Sequence, residues 1–213
     1  MIKGGRKQWG GCAGGSNNGA PVVEKIESGC RVYFIHRGRL GRYMVRGLKQ
    51  TSSVVAVGFA ISETGANTFT QGSVDLNLSP LDNEVFVVLA VNLDNDYPDA
   101  IDGVSTLVRS ALTTTSQTSM PNLGNSNCLA RTTDAIQAGA PGTFGVSFSQ
   151  QALETPPSTL EFIGIIATND FFIQTQGTAN LGAKGTAGKV YGYRAKADAS
   201  IYSALVQSEV LSA

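Results

Sequence analysis

The chain has 213 residues, of which 42% are apolar and 15% charged, with sixteen basic and sixteen acidic side chains that leave no net charge. A chain of that length forms one sizeable domain that buries roughly 70% of its unfolded surface, so it needs neither a disulfide nor a metal to fold. No apolar run reaches the 18 or so residues of a transmembrane helix. The opening MIKGGRKQWGGCAGGSNNGAP is basic without an apolar h-region, which predicts synthesis in a cytoplasm and no secretory signal.

The first 21 residues contain seven glycines and few apolar side chains. We read residues 1–29 as a flexible, Gly-rich basic arm that orders when a partner holds it, and residues 30–213 as a single β domain. From residue 30 the pattern is that of strands. CRVYFIHR is β-branched and aromatic, RYMVRGLK alternates after Gly41, and SSVVAVGFAIS is apolar on both faces. GSVDLNLSP alternates, with Val74, Leu76 and Leu78 inward; LDNE is a turn, and VFVVLAVNL, residues 85–93, has the continuous apolar character of a central strand. DNDYPDAIDG is an acidic loop. STLVRSALTTTS predicts a strand although its apolar spacing also fits a helix, and CLARTTDAIQA is ambiguous. GTFGVSFSQ sets Phe144, Val146 and Phe148 on one face, and ETPPS interrupts the chain. LEFIGIIAT and DFFIQTQGT predict two strands joined tightly at Asn169–Asp170, NLGAKGTAG a loop, and KVYGYRAKA a last strand. DASIYSALVQSEVLS predicts a helix capped by Asp198, with Ile201, Tyr202, Leu205, Val206 and Val210 on one broad face. About eight to ten strands without alternating helices indicate an all-β antiparallel sandwich or barrel with a short C-terminal helix.

Charge is unevenly placed. Residues 1–50 hold ten basic and two acidic side chains, a net of +8; residues 51–213 hold six and fourteen, a net of −8. The basic side chains Lys3, Arg6, Lys7, Arg37, Arg39, Arg42 and Arg46 allow three readings. They keep an edge strand soluble, they face phosphates without reading sequence, or they meet acidic loops of a neighbouring subunit. Asp94, Asp96, Asp99 and Asp102 form the most site-like cluster. Such carboxylates could coordinate calcium, but Pro98, Asp99 and Ser105 break the EF-hand pattern, and a solvated loop or a partner for arginines is the commoner role. No cofactor is expected otherwise.

Catalytic signatures are missing. AKGTAGKV, residues 183–190, lacks the first glycine and the Ser/Thr of a phosphate loop, and no GxSxG occurs. His36 is the sole histidine and sits beside Arg37. Cys12, Cys30 and Cys128 are widely spaced without a CxxC pair, which predicts reduced thiols. We therefore expect no enzyme.

In NEVFVVLAVNLDND, FIGIIATNDFFIQTQG and KVYGYRAKADASIYSALVQSE, together with the basic arm, the chain resembles virion proteins of the jelly-roll type. The resemblance spans residues 30 to 198 and implies a capsid protein that self-assembles as a homo-oligomer into a shell and resides in the virion. Its arm would face a neighbour, the genome or an anionic inner membrane, although its few basic residues are sparse for a genome-packing tail. The alternatives are a phage tail-tube, cement or other accessory virion protein, and a ligand- or carbohydrate-binding sandwich in which Tyr97, Phe69 and Trp9 would converge.

Overall fold

A computed structural model describes residues 47–142, 145–150, 153–155 and 160–211. The described strands are β1 (Leu48–Gln50), β2 (Val55–Ser62), β3 (Thr70–Asp75), β4 (Glu84–Asn95), β5 (Thr106–Thr113), β6 (Cys128–Gln137), β7 (Val146–Gln150), β8 (Leu153–Glu154), β9 (Gly164–Ile166), β10 (Asp170–Thr178) and β11 (Gly185–Ala197), followed by the helix α1 (Ala199–Leu211).

All ladders are antiparallel. In one sheet β11 is flanked by β4 on one side and by β1 and β2, end to end, on the other; β4 in turn carries β8 and β9 end to end on its far side. The second sheet has the order β3-β10-β5-β6-β7. Counting β1 with β2 and β8 with β9 as single interrupted strands, four strands face four, with β7 added at an edge. The chain changes sheet six times, staying within one sheet only from β1 to β2, from β5 through β7 and from β8 to β9, and its first described strand pairs with its last. That order is the jelly-roll form of the expected all-β sandwich.

The two sheets close over one core. Phe86, Val88, Val91 and Leu93 from β4 meet Leu112, Phe171 and Ile173 from the opposite sheet. Phe59 packs edge-on against Phe171, with ring centroids 5.8 Å apart. The apolar run in β4 is continuous because its first half is covered on both faces. Phe86 and Val88 point between the sheets; Val85 and Val87 point outward into a second cluster, where Ile201, Tyr202, Leu205 and Val206 of α1 lie against them. The expected central strand is therefore correct, and α1 is what requires its outward side to be apolar.

Several expectations are corrected. LEFIGIIAT and DFFIQTQGT are not a hairpin: β9 pairs with β4, whereas β10 pairs with β3 and β5 in the other sheet. The connecting Asn169 binds outside both strands, its carbonyl accepting from Leu76 N at 2.8 Å and its Oδ1 from Leu78 N at 2.7 Å. The glycine-rich segment after Ala183 is strand from Gly185 onward, paired on both sides. STLVRSALTTTS and CLARTTDAIQA resolve into the strands β5 and β6. In SSVVAVGFAIS only alternate residues turn inward: Val57, Phe59 and Ile61 are half-buried, and Ala56, Gly58, Ala60 and Ser62 are exposed. LDNE enters a 3-10 turn over Pro80–Asp82 that ends at Asn83 in the left-handed region. Phe144 lies outside the described residues, and its expected companions Val146 and Phe148 are exposed at the sheet edge.

On α1, Val210 is exposed and Glu209 is buried. The Glu209 carboxylate accepts from the N–H of Ala167 and of Thr168, each at 3.0 Å, and so ties the helix to the β9–β10 connection. Burial, with a lesser contribution from Asp170, raises its pKa above the ordinary 4.5 despite those bonds. Between that value and the raised one the unfolded chain releases the proton first. This contribution to stability is therefore complete below about pH 4.5, shrinks as pH rises through the window, and is level above it. Urea unfolding from about pH 4 to 8 should show that downward component in the wild type and its loss in Glu209→Gln.

Candidate functional site

Three loops meet at one end of the sandwich: 63–69, 96–105 and 179–184. At their centre is Glu63, 6% exposed. Its Oε1 accepts from Gly177 N at 2.6 Å, and its Oε2 accepts from Lys184 N at 2.9 Å and Asn67 N at 3.3 Å. Fixed N–H donors replace the water this carboxylate gives up. A Cβ at position 177 would stand 2.7 Å from Asn180 Nδ2, which accounts for the glycine. Asn67, at φ 63°, exchanges two bonds with Asn180: its Nδ2 donates to the Asn180 carbonyl at 2.8 Å and its Oδ1 accepts from Asn180 N at 2.7 Å. Asn180 carries the connection onward, its Oδ1 accepting from Asp99 N at 3.0 Å and its Nδ2 donating to the Leu107 carbonyl at 2.9 Å.

This network occupies most of the acidic loop. Asp99 pairs with Lys184 Nζ at 2.6 Å and accepts from Leu181 N at 2.8 Å; the Lys184 hydrogen bond, then the Leu181 N–H, holds its carboxyl below the ordinary value. Asp96 accepts from Gly185 N at 2.6 Å, and Asp102 accepts from Gly142 N at 3.0 Å. Asp94 is exposed on β4. The four side chains thus answer to different parts of the fold. Among the described residues no three Asp, Glu, Cys or His side chains gather closely enough to hold a metal ion.

Beside this end, a groove of about 280 Å³ opens between the β4 side of one sheet and the β6–β7 edge of the other. Asp94, Tyr97, Asp134 and Phe148 are among the residues that line it. In the β6–β7 register Asp134 stands opposite Ser149 and Phe148 opposite Ala135, so Asp134 turns toward the space between the sheets and Phe148 toward the outer face. Asn95 Nδ2 donates to Asp134 Oδ2 at 2.9 Å across the floor. Tyr97 is 89% exposed and Phe148 57%, and every residue of β7 is exposed. Among the described residues no Lys or Arg lines the groove. An acidic border with exposed aromatic residues near it suits a cationic side chain, which can bond the former and stack on the latter.

The expected basic residues Lys3, Arg6, Lys7, Arg37, Arg39, Arg42 and Arg46 lie outside the described residues, as do Trp9, Cys12, Cys30 and His36. Of the aromatics expected to converge, Tyr97 lines the groove and Phe69 does not. Asp134 escaped notice in the sequence because it sits in a segment with no clear period; an acid amid the β-branched residues of CLARTTDAIQ was the available signal. Glu63 followed a strand like any loop acid, and only its three donors mark it out.

No family model matches the chain, and no curated protein does. Among solved structures it is similar to a chain of Desmodium yellow mottle tymovirus, at 11% identity, over 70% of this chain and 91% of that one, with a TM-score of 0.26. A likeness of that extent carries no weight by itself, and the fold rests on the strand order. Among the described residues no helix is long and apolar enough to cross a membrane.

Proposed function

We propose that this chain is a non-catalytic structural protein of a virion, which self-associates into a shell by seating the basic region of one copy on the acidic groove of another. The observation that supports this reading is the match between two separated charges. Residues 51–213 carry a net of −8 and present a groove lined by Asp94 and Asp134 and, among the described residues, by no cation, while residues 1–50 carry +8. Complementary patches on one chain favour contacts between copies, because each copy offers both halves. The jelly-roll body supplies a rigid block with loops at its ends, although such a fold hosts many functions. On this reading the arginines between 37 and 46 reach Asp94 and Asp134, and the arm of residues 1–29 faces a neighbour, the genome or an anionic membrane.

Light scattering after size-exclusion chromatography tests it. Nuclease-treated protein should form large species at low salt that dissociate at high salt, as screened ion pairs must. Asp94→Asn with Asp134→Asn, or Arg42→Ser with Arg46→Ser, should each raise the concentration needed for assembly about tenfold without unfolding the chain. A monomer in every condition would refute shell formation. Species lost on nuclease treatment would show that nucleic acid, and not the groove, joins the copies. A second reading, a ligand-binding module, is favoured by Tyr97 and Phe148 beside the groove; glycan binding by a persistent monomer would establish it.

A further inference from the structure

The outward face of the five-stranded sheet carries two neighbouring arginines. In the β5–β6 register Arg109 lies opposite Thr133 and Arg131 opposite Ala111, which puts both on one face with an offset of two residues. Such diagonal neighbours are about 7–8 Å apart, and like charges on neighbouring strands destabilise a sheet. Neither arginine joins an ion pair among the described residues. The carboxylates that share this face by register, Asp75 and Asp170, pair with each other at the far end of β10. Asp170 is about 20 Å along the strand from Gln176, the residue opposite Arg109.

Both arginines also leave the same group unused. The Nε of each is shut off from solvent and has no hydrogen-bond partner. Arg109 Nη2 reaches Thr178 Oγ1 at 3.4 Å, a long bond for a group with five donors. Burial, and after it the charge of Arg131, disfavours the ionised form of Arg109. The neighbouring side chains on this face carry no charge: Gln176 and Thr133 stand on either side of Arg109, Gln150 lies beyond Thr133 on β7, and Leu107, Ala111 and Ala135 are apolar.

We propose that Arg109 and Arg131 form a binding site for a phosphate-type oxyanion, with Thr178 and Gln176 at its rim. A tetrahedral anion can span two guanidiniums, satisfy their spare donors and relieve their repulsion at once. A single carboxylate neutralises only one of the two charges. Free phosphate and the phosphodiesters of a nucleic-acid strand share this chemistry. The site is independent of the acidic groove, which opens between the two sheets.

The test uses the full-length chain. Inorganic phosphate should raise the melting temperature above that in chloride of equal ionic strength, because it binds the folded state alone. Arg109→Gln with Arg131→Gln should abolish that gain and weaken phosphate binding in calorimetry at least about tenfold, whereas Lys189→Gln, on the other sheet, should match the wild type. If the double variant does not fold, Arg131→Lys keeps the charge, removes the planar fork and should show most of the same loss. A larger gain per phosphate from oligothymidylate identifies a strand backbone as the source; a larger gain from phosphate identifies the free anion. Equal melting temperatures in phosphate and chloride would overturn the proposal, and so would a gain that the arginine variants retain.

Discussion

Glu63→Ala should lower the stability of the fold by about 3 kcal/mol and the melting temperature by roughly 6–12 °C. The side chain contributes little apolar area, so the loss comes from what it leaves behind. The N–H groups of Gly177, Lys184 and Asn67 would face a site 6% exposed without their acceptor. A buried donor without a partner costs about 1–3 kcal/mol, and water entering the space offsets part of the total. Glu63→Gln should fall between the two, since one amide oxygen accepts and the amide nitrogen opposes a donor. Amide exchange should locate the damage in loops 63–69 and 179–184 first, with β4 still protected. Uniform loss of protection would mean that these loops and the core unfold as one unit.

Gly192→Val should be comparably damaging, about 3 kcal/mol, for a steric reason. The β11–β4 register slips between Tyr191 and Gly192. There the two strands approach so closely that a Cβ on residue 192 would stand 2.4 Å from the Val87 carbonyl oxygen and 2.5 Å from Phe86 Cε1. The oxygen belongs to backbone held by ladder bonds and cannot swing aside. The ring belongs to a residue 1% exposed at the centre of the core. Overpacking at a rigid place costs near the top of the usual range of about 1–3 kcal/mol. Gly182→Val supplies the contrast, because no described residue other than its two chain neighbours comes within 4 Å of a Cβ built there. Denaturant midpoints for the two variants separate the effects; equal midpoints would show that β4 and β11 can move apart at the bulge.

If copies associate through the acidic groove as proposed, both results bear on assembly. The loops organised by Glu63 are continuous with Asp94 and Tyr97, which line the groove, and Asp99 and Lys184 bind the 96–105 loop to the β10–β11 connection. A subunit that loses Glu63 would therefore present a less ordered acidic wall. Its assembly should weaken more than that of Gly192→Val at equal stability, because the latter disturbs the opposite half of β4.

The sequence by itself determined the class of fold. Alternation in GSVDLNLSP, a β-branched run in STLVRSALTTTS and a period-3.6 face in DASIYSALVQSEVLS are local signals. Each depends on neighbours a few residues away, and each appears as β3, β5 or α1. The opposite charges of the two parts of the chain are also plain from residue order alone. Partnership was not legible, because hydrogen bonds between strands leave no mark on side-chain periodicity. Two adjacent strands with a tight Asn169–Asp170 connection look like a hairpin, and only the packing shows β9 bonded to β4 and β10 bonded to β3 and β5. The burial of Glu209 in place of Val210 depends on where two N–H groups of the β9–β10 connection fall beneath α1. The same holds for the sites. The acidic loop was visible as a cluster, yet tertiary contacts divide it, binding Asp96, Asp99 and Asp102 to separate backbone donors and leaving Asp94 exposed at a groove that Asp134, 40 residues further along the chain, also lines. Arg109 and Arg131 stand 22 positions apart and become neighbours only through the β5–β6 register. Periodicity reports which side of an element is apolar; which elements meet, and which polar groups meet with them, is decided by contacts between distant residues.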